Sequence, residues 1–499
     1  MSMLNKQQFL KLCREDPEGL YQVFCRLESA VMELSSQVRQ LKAENELLRA
    51  ENQQLTQRVA DLEAQLKRNS SNSSKPPGSD EFVKPKSRRP KKGRASGGQQ
   101  GHQGNTLKMS DTPDEVHRHQ VHQCGNCQAD LSGQPADRIH RHQVFDLPEI
   151  TLQVIEHQRE EKLCLLCGEY SCAPVVKDAR QSVQYGHRML SLLVYLTQYQ
   201  LLPYQRTVEL VEALCGQRIS EGTIFNAVCS AAEATKDAEE HIAQELAAEE
   251  IVHVDETGMR IEGRRQWLHV VSTDEMTHYA YHEKRGYEAT QKIGILPRFQ
   301  GRAIHDFWKP YFRYEFLHGL CNAHHLRELA GITERYHTQW SEDMQQLLQE
   351  IYQQVELQKA HSTVLPKDMV RSFEKRYRDI LRAGYLAHPP PQRSVQPKRG
   401  RTKQGKARNL LRRLRLHRKE VLAFMYDFSV PFENNLAERD LRMMKVRQKI
   451  SGVFRSAQGA QMFCRIRGYI STARKQQIPA IDAVKAALDG NPFFVPQPP

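Results

Sequence analysis

The sequence predicts a mixed α/β core carrying a helical insertion, preceded by a coiled coil and a small zinc ribbon. Three observations predict it. Leucine recurs every seventh residue from 27 to 62, two Cys-x-x-Cys pairs lie between 107 and 180, and short β-forming runs alternate with helical stretches from residue 251 onward. Two of those runs lead directly into an acid, Asp255 in IVHVDETG and Asp306 in RAIHDFW. A carboxylate at the end of a buried strand is costly unless a cation or partner compensates it.

The bulk properties narrow the partners. The chain has 499 residues, with 72 Lys plus Arg against 59 Asp plus Glu, a net charge of +13. That excess favours a polyanion and says nothing of the fold. No apolar run reaches the ~20 residues of a membrane span, and MSMLNKQQFLKLCRED is too polar for a signal peptide. Eleven cysteines without an export signal suggest reduced thiols and metal ligands rather than disulfides. A bacterial-type cytosol or a nucleus would both fit.

After an N-terminal helical segment (1–23), residues 24–66 carry six heptads. Leu27, Leu34, Leu41, Leu48, Leu55 and Leu62 fall at d; Phe24, Val31, Val38, Asn45, Asn52, Val59 and Leu66 fall at a. Leu at d with β-branched residues at a favours a parallel two-stranded zipper, and Asn at a fixes register. A homodimer or higher assembly is expected. Residues 67–106 are rich in Ser, Pro and Gly, and ten Lys/Arg between Lys67 and Arg94, Lys91 and Lys92 among them, face only Asp80 and Glu81. Such a segment reads as a flexible basic arm touching phosphates without regard to base sequence, or as a solubilising linker.

In 107–180, Cys124, Cys127, Cys164 and Cys167 form two knuckles, each aiming two sulfurs at one ion, and they predict one structural Zn²⁺. Residues 181–250 read as helical: RTVELVEALC ends at Gly216, and a second helix starts after Ser220 as N-cap. The pair is either a helix-turn-helix or an ordinary helical hairpin.

The core occupies 251–331 and 431–499. IVHVDETGMRI, RRQWLHVVST and HYAYHEKR read as an antiparallel meander; YEATQKIGIL as a helix; RAIHDFW and YEFLHGLC as two more strands; AHHLRELAGI as a helix. Five strands in that order match a ribonuclease-H-like sheet. Residues 332–430 read as a polar helical insertion, whose distal part Lys398–Lys419 holds eleven Lys/Arg, including Arg412 and Arg413, and no acid. Beyond it, FENNLAERDLR places Glu438 on a helix, with Arg442 and Lys445 at i+4 and i+7 on the same face. Three carboxylates on separate elements in a basic protein suggest a divalent-metal site acting on phosphodiesters, and Arg442 and Lys445 suit a phosphate beside it.

The ordered motifs, SSNSSKPPGSD and GGQQGHQGNTL, CGNC and CLLC, VHVDETG, HDFWKPY, CNAHHLREL and FENNLAERDLRMMK, resemble those of DDE transposases of insertion-sequence family sixty-six, end to end. The chain departs from that family's usual Asp at Glu433. The resemblance implies DNA cleavage and strand transfer with two Mg²⁺ or Mn²⁺ ions, Asp255 bridging both, Asp306 holding one and Glu438 the other. It also implies that His324 of the Cys321–His324 pair lies near the active centre; no further ligand pair stands near that CxxH in sequence, so a second zinc is not expected. Glu256 should point to the face opposite Asp255, Asn434 and Asn435 suit helix capping, and Trp308 and Tyr311 suit either base stacking or core packing. Two other functions remain open: a non-catalytic zipper and zinc DNA-binding regulator, and a ribonuclease-H-like nuclease that hydrolyses without joining.

Overall fold

A computed structural model describes residues 5–66, 72, 107–176, 179, 181–390 and 404–494. The basic arm, with Lys91 and Lys92, lies outside the described residues apart from Asn72, as does part of the basic stretch before 404. The chain divides into two compact units, residues 1–85 with 327–342, and 86–326 with 343–499.

In the first unit, α1 (Lys6–Glu15) leads into α2 (Pro17–Leu66). Pro17 sits at the first helical position, where its missing N–H costs nothing. No proline or glycine interrupts the run beyond Gly19, so the helix continues for 50 residues, about 75 Å at 1.5 Å per residue. Its a and d side chains, including Val31, Leu41 and Leu55, are exposed along one continuous stripe.

The second unit opens with a hairpin, β1 (Glu161–Leu163) and β2 (Tyr170–Cys172), followed by the helices α3 (His187–Val194), α4 (Tyr204–Cys215), α5 (Glu221–Ala234) and α6 (Lys236–Ala248). Gly216 ends α4 in the left-handed region at φ 67°, where a side chain is disfavoured. Ser220 Oγ caps α5 by accepting from Thr223 N–H at 3.0 Å. These helices are not a separate module. Leu193, Ile224 and Ala231 share a core with Ile466, Tyr469 and Val484 near the C-terminus.

The sheet consists of β3 (Ile251–Ile261), β4 (Arg264–Ser272), β5 (Thr277–His282), β6 (Arg302–His305) and β7 (Leu317–Leu320), with α7 (Tyr287–Ile293) between β5 and β6. Its order is β5-β4-β3-β6-β7; β4 runs antiparallel to both β3 and β5, while β3, β6 and β7 are parallel. This five-stranded mixed sheet is compatible with a ribonuclease-H-like core. Gly301 lets β6 start close to β3, because a Cβ there would meet Glu250 O at 2.3 Å.

Among the described residues, helices alone connect β7 to the element carrying Glu438: α8 (Asn322–Tyr336), α9 (Gln339–Gln358), α10 (Lys367–Ala387), α11 (Lys406–Leu416), α12 (Arg418–Val421) and α13 (Ala423–Tyr426). Then come α14 (Asn435–Ile450), α15 (Ala457–Lys475) and α16 (Ala480–Leu488). One sheet face buries Met259, Ile261, Leu268 and Tyr279 against Leu441, Met444 and Phe463 of α14 and α15. The other buries Val252, Val254 and Ala303 against Leu246, Ile295, Tyr311 and Phe316.

Candidate active site

The site begins where the sheet forks. The pairing of β3 with β6 ends at His253–Ile304, while its pairing with β4 continues to Ile261–Arg264. Two residues past His253 lies Asp255, and two past Ile304 lies Asp306. Because Ile304 also pairs with Gly319 of β7, the same step along that strand reaches Cys321. Parallel strands run about 4.8 Å apart, so this register sets Asp255, Asp306 and Cys321 in a row across the carboxyl end of three strands. Ligands of open α/β sheets lie in the crevice outside those ends.

Local hydrogen bonds hold both aspartates. Asp255 Oδ1 accepts from Glu256 N–H at 2.8 Å, and Asp306 Oδ1 from Trp308 N–H at 3.0 Å. The turn after Asp306 takes Phe307 to φ 76°, a conformation that costs a non-glycine residue roughly 1 kcal/mol or more. Phe307 is kept there by packing against Phe312 and His417.

Glu438 arrives on the first turn of α14, and Asn434 sets the position of that turn. Asn434 occupies the N-cap position, yet its side chain does not cap the helix. Its Nδ2 donates to Val254 O at 2.9 Å, and its Oδ1 accepts from His253 Nδ1–H at 2.8 Å. The capping role expected of Asn434 is therefore corrected: the amide pins the helix to β3 through His253 and Val254, immediately before Asp255. Asn434 N–H donates to Cys321 Sγ at 3.1 Å, and Asn322 N–H to Phe432 O at 3.0 Å. These bonds tie the FENN segment to the end of β7.

Asp255 feels the charges of both other acids, although the oxygens of Asp255, Asp306 and Glu438 are not gathered as closely as the ligand atoms of Cys321, His324 and Glu438. Asp255 is raised well above the ordinary carboxylate range, first by burial, then by the charges of Glu256, Asp306 and Glu438. Asp306 is also raised by burial, although Arg285 and Arg413 pull against it. Carboxylates that resist ionising together suit a site that a divalent cation would neutralise. The oxygen donors fit Mg²⁺ or Mn²⁺.

Glu256 lies on the opposite face of β3, as the strand alternation requires, but it is not remote from the site. It is pushed up to about 7 by burial and then by Asp306. Tyr311 OH donates to its Oε2 at 2.5 Å, and Arg285 Nε to its Oε1 at 2.8 Å. Arg285 in turn stacks over Trp308 at 3.7 Å from the ring centre. Tyr311 is thus buried and engaged with Glu256, so base stacking by Tyr311 is corrected in favour of packing. Nothing in HEKRGY marks Arg285 as a site residue; only its fold-dependent pairing reveals it.

The basic candidates divide. Arg412 and Arg442 are exposed. Arg413 is half-buried over the Phe307 ring at 4.9 Å, near enough to Asp306 to influence it, and burial lowers it to about 10. Lys445 is half-buried and lowered by burial and by the neighbouring charge of Arg265.

His324, in the first turn of α8, lies with its Nδ1 3.7 Å from Glu438 Oε1. Cys321, His324 and Glu438 each offer a ligand atom, all within 4.8 Å of one another. The CxxH has a third donor that the sequence does not place beside it, since Glu438 comes from more than a hundred residues away. Among the described residues this is the one such group. The two Cys-x-x-Cys knuckles are alike in shape. Cys124 N–H donates to Ala129 O across one turn and Cys164 N–H to Glu169 O across the other, both at 2.9 Å. Gln128 and Gly168 close the turns at φ 60° and 74°. In each, backbone N–H groups lower the first thiol. The four sulfurs are not gathered as closely as the Cys321 group.

The family model described as Transposase IS66 family matches residues 182–462, which contain the sheet, the insertion and α14. A family of unknown function (DUF6444) matches residues 27–108. No curated protein matches the chain.

Proposed function

The chain belongs to the IS66 family of transposases, and from that membership we propose that it cleaves and joins DNA at Asp255, Asp306 and Glu438. Membership carries nucleic-acid processing and divalent-metal use; the assignment of residues is our own. The observation that supports it is the approach of the three acids at the fork between β3 and β6, where Asp306 and Glu438 both raise Asp255.

Asp255 is central and would bridge two ions, with Asp306 and Glu438 each holding one. Ions held so would activate the attacking oxygen and stabilise the leaving one in an in-line displacement. The protein's own groups do the positioning. Asn434 fixes Glu438 against β3, and the Phe307 turn aims Asp306. Arg285 balances Glu256 so that a fourth buried acid is tolerated beside the site. Arg442, Lys445 and Arg265 would hold the scissile strand, since Lys445 and Arg265 form a like-charged pair that a phosphate would relieve. Arg412 and the basic stretch around it, with Lys91 and Lys92 of the arm, would contact phosphates farther along the duplex in a salt-dependent way.

The remaining modules fit synapsis. The exposed a/d stripe of α2 would pair two subunits as a zipper and bring two element ends together. The knuckles at Cys124, Cys127, Cys164 and Cys167 would hold one structural Zn²⁺ on closing. The ribonuclease-H-like reading of the sheet belongs to the same proposal. No described helix is long and apolar enough to cross a membrane.

The test is cleavage and joining of DNA bearing the element's ends, with Mg²⁺ or Mn²⁺, for wild type and for Asp255→Asn, Asp306→Asn and Glu438→Gln. Loss of both reactions with DNA binding retained supports the assignment. Unimpaired cleavage by any one variant removes that residue. Hydrolysis without joining by the wild type would favour the nuclease reading.

A further inference from the structure

The Cys321, His324 and Glu438 cluster combines sulfur, nitrogen and oxygen donors, a set that magnesium chemistry does not need. We propose that these three residues bind a borderline-soft divalent cation of the zinc class, at a position distinct from the oxygen-lined places for magnesium. The proposal shares Glu438 with the reaction centre and to that extent rests on the catalytic assignment of that residue, although metal binding can be measured without any reaction.

Three features of the fold build the site. Cys321 closes β7, its N–H donating to His305 O at 3.0 Å, which fixes it beside the turn into Asp306. The helix α8 starts at the next residue, so His324 returns over Cys321 within one turn. Glu438 comes from α14, whose start is held by Asn434, and its Oε1 stands 3.7 Å from His324 Nδ1. Around a tetrahedral ion with ordinary bond lengths, such ligand atoms stand about 3.4–3.6 Å apart. The observed limit of 4.8 Å therefore leaves only side-chain adjustments of roughly an ångström.

The chemistry of the sulfur points the same way. Cys321 is 1 % exposed and accepts a backbone N–H from Asn434 at 3.1 Å, at the positive end of the 16-residue helix α14. Sulfur selects zinc-class ions over magnesium, which prefers oxygen. Three protein ligands leave a fourth position for water, and His324 and Glu438, both half-buried, give the ion a way in. An ion seated here engages Glu438, so zinc-class and magnesium-class ions compete for one carboxylate.

The test uses full-length protein in which Cys124, Cys127, Cys164 and Cys167 are serine, stripped by chelator and titrated with Co²⁺. A near-ultraviolet thiolate-to-cobalt band that saturates at one equivalent is expected, whatever further cobalt the oxygen-lined places take up. Cys321→Ser should abolish the band, and His324→Gln should keep it while weakening binding at least ten-fold. Absence of the band in the parent protein, or an undiminished band in Cys321→Ser, overturns the proposal. Circular dichroism checks each fold; if Cys321→Ser does not fold, unchanged affinity in both His324→Gln and Glu438→Gln overturns it instead. Cobalt bound with cleavage indifferent to Glu438→Gln would sink the catalytic role of Glu438 alone. Cleavage abolished by Glu438→Gln without any cobalt band would sink the soft-metal site alone.

Discussion

Asp306→Asn should stabilise the protein without divalent ions and destabilise it, relative to wild type, with them. Without ions Asp306 is raised although Arg285 and Arg413 both favour its charge, so its ionised form is a net cost to folding. It also burdens Glu256, which is pushed from 4.5 to about 7 by burial first and Asp306 next. That whole shift corresponds to ~3 kcal/mol at 1.36 kcal/mol per unit. Asp306 supplies the lesser share, so its neutralisation should gain about 1 kcal/mol, or roughly 1–4 °C in Tm. Asn keeps Oδ1 as the acceptor for Trp308 N–H, so the turn survives. A raised acid costs stability only where it is ionised. The gain should therefore be largest near pH 8 in chelator and should vanish as pH falls below about 4, where the wild-type carboxyl is protonated in both states. Magnesium at a hundred times its Kd should stabilise wild type by ~2.7 kcal/mol and the variant by far less, which inverts their order. Thermal melts in chelator and in magnesium, at several pH values, measure all of this. A variant less stable than wild type in chelator at pH 8, or one with an equal magnesium shift, would refute the reasoning.

Other outcomes follow from particular contacts. Asn434→Ala should cost ~2–4 kcal/mol in urea unfolding, since it leaves His253 Nδ1–H and Val254 O buried and unmet; it should also cut cleavage at least ten-fold, because Glu438 loses its anchor. His269 is depressed to about 4, chiefly by burial. A depressed histidine stabilises the fold above its unfolded value and loses that contribution as pH falls. His269→Gln should therefore remove up to ~1.4 kcal/mol per unit of acid sensitivity between about pH 6.5 and 4, seen as a flatter dependence of unfolding free energy on pH. Replacing Leu41 and Leu48 together by Arg should turn a dimer into a monomer in sedimentation at unchanged helicity, and an unaltered mass would remove the zipper.

Much of the sheet is legible in the sequence because its strands are short, rich in β-formers and separated by turns. IVHVDETGMRI coincides with β3 end to end, and the meander turns at Glu262 and Thr273 as the turn residues imply. Gly216 and Ser220 likewise mark the helix ends they predict. What sequence periodicity carries is local, and the unread features are all long-range. Asn434 has the composition of a cap, and only the neighbouring strand explains why its amide serves β3 instead. Cys321 and His324 look like an isolated pair until α14 delivers Glu438. The helices before residue 250 look like a separate module, yet Ile224 and Ala231 bury against Ile466 and Ile470, a pairing that no window of the sequence contains.

The position of the acids also explains why the fold tolerates them. In a continuous sheet a central strand is flanked on both sides and its side chains meet packed neighbours. After His253, however, β3 keeps β4 on one side while the chain leaving β6 turns away through Phe307. The ladder therefore opens along one edge of a central strand, and Asp255 falls at that opening. Moving the acid two residues back, to His253, would set it within the paired ladder, where the side chain at that position meets Asn434. Moving it two residues forward, to Thr257, would carry it away from Asp306 along β4. The fork therefore sets Asp255, rather than its neighbours on the same face of β3, at the opening beside Asp306 and the helix docked through Val254.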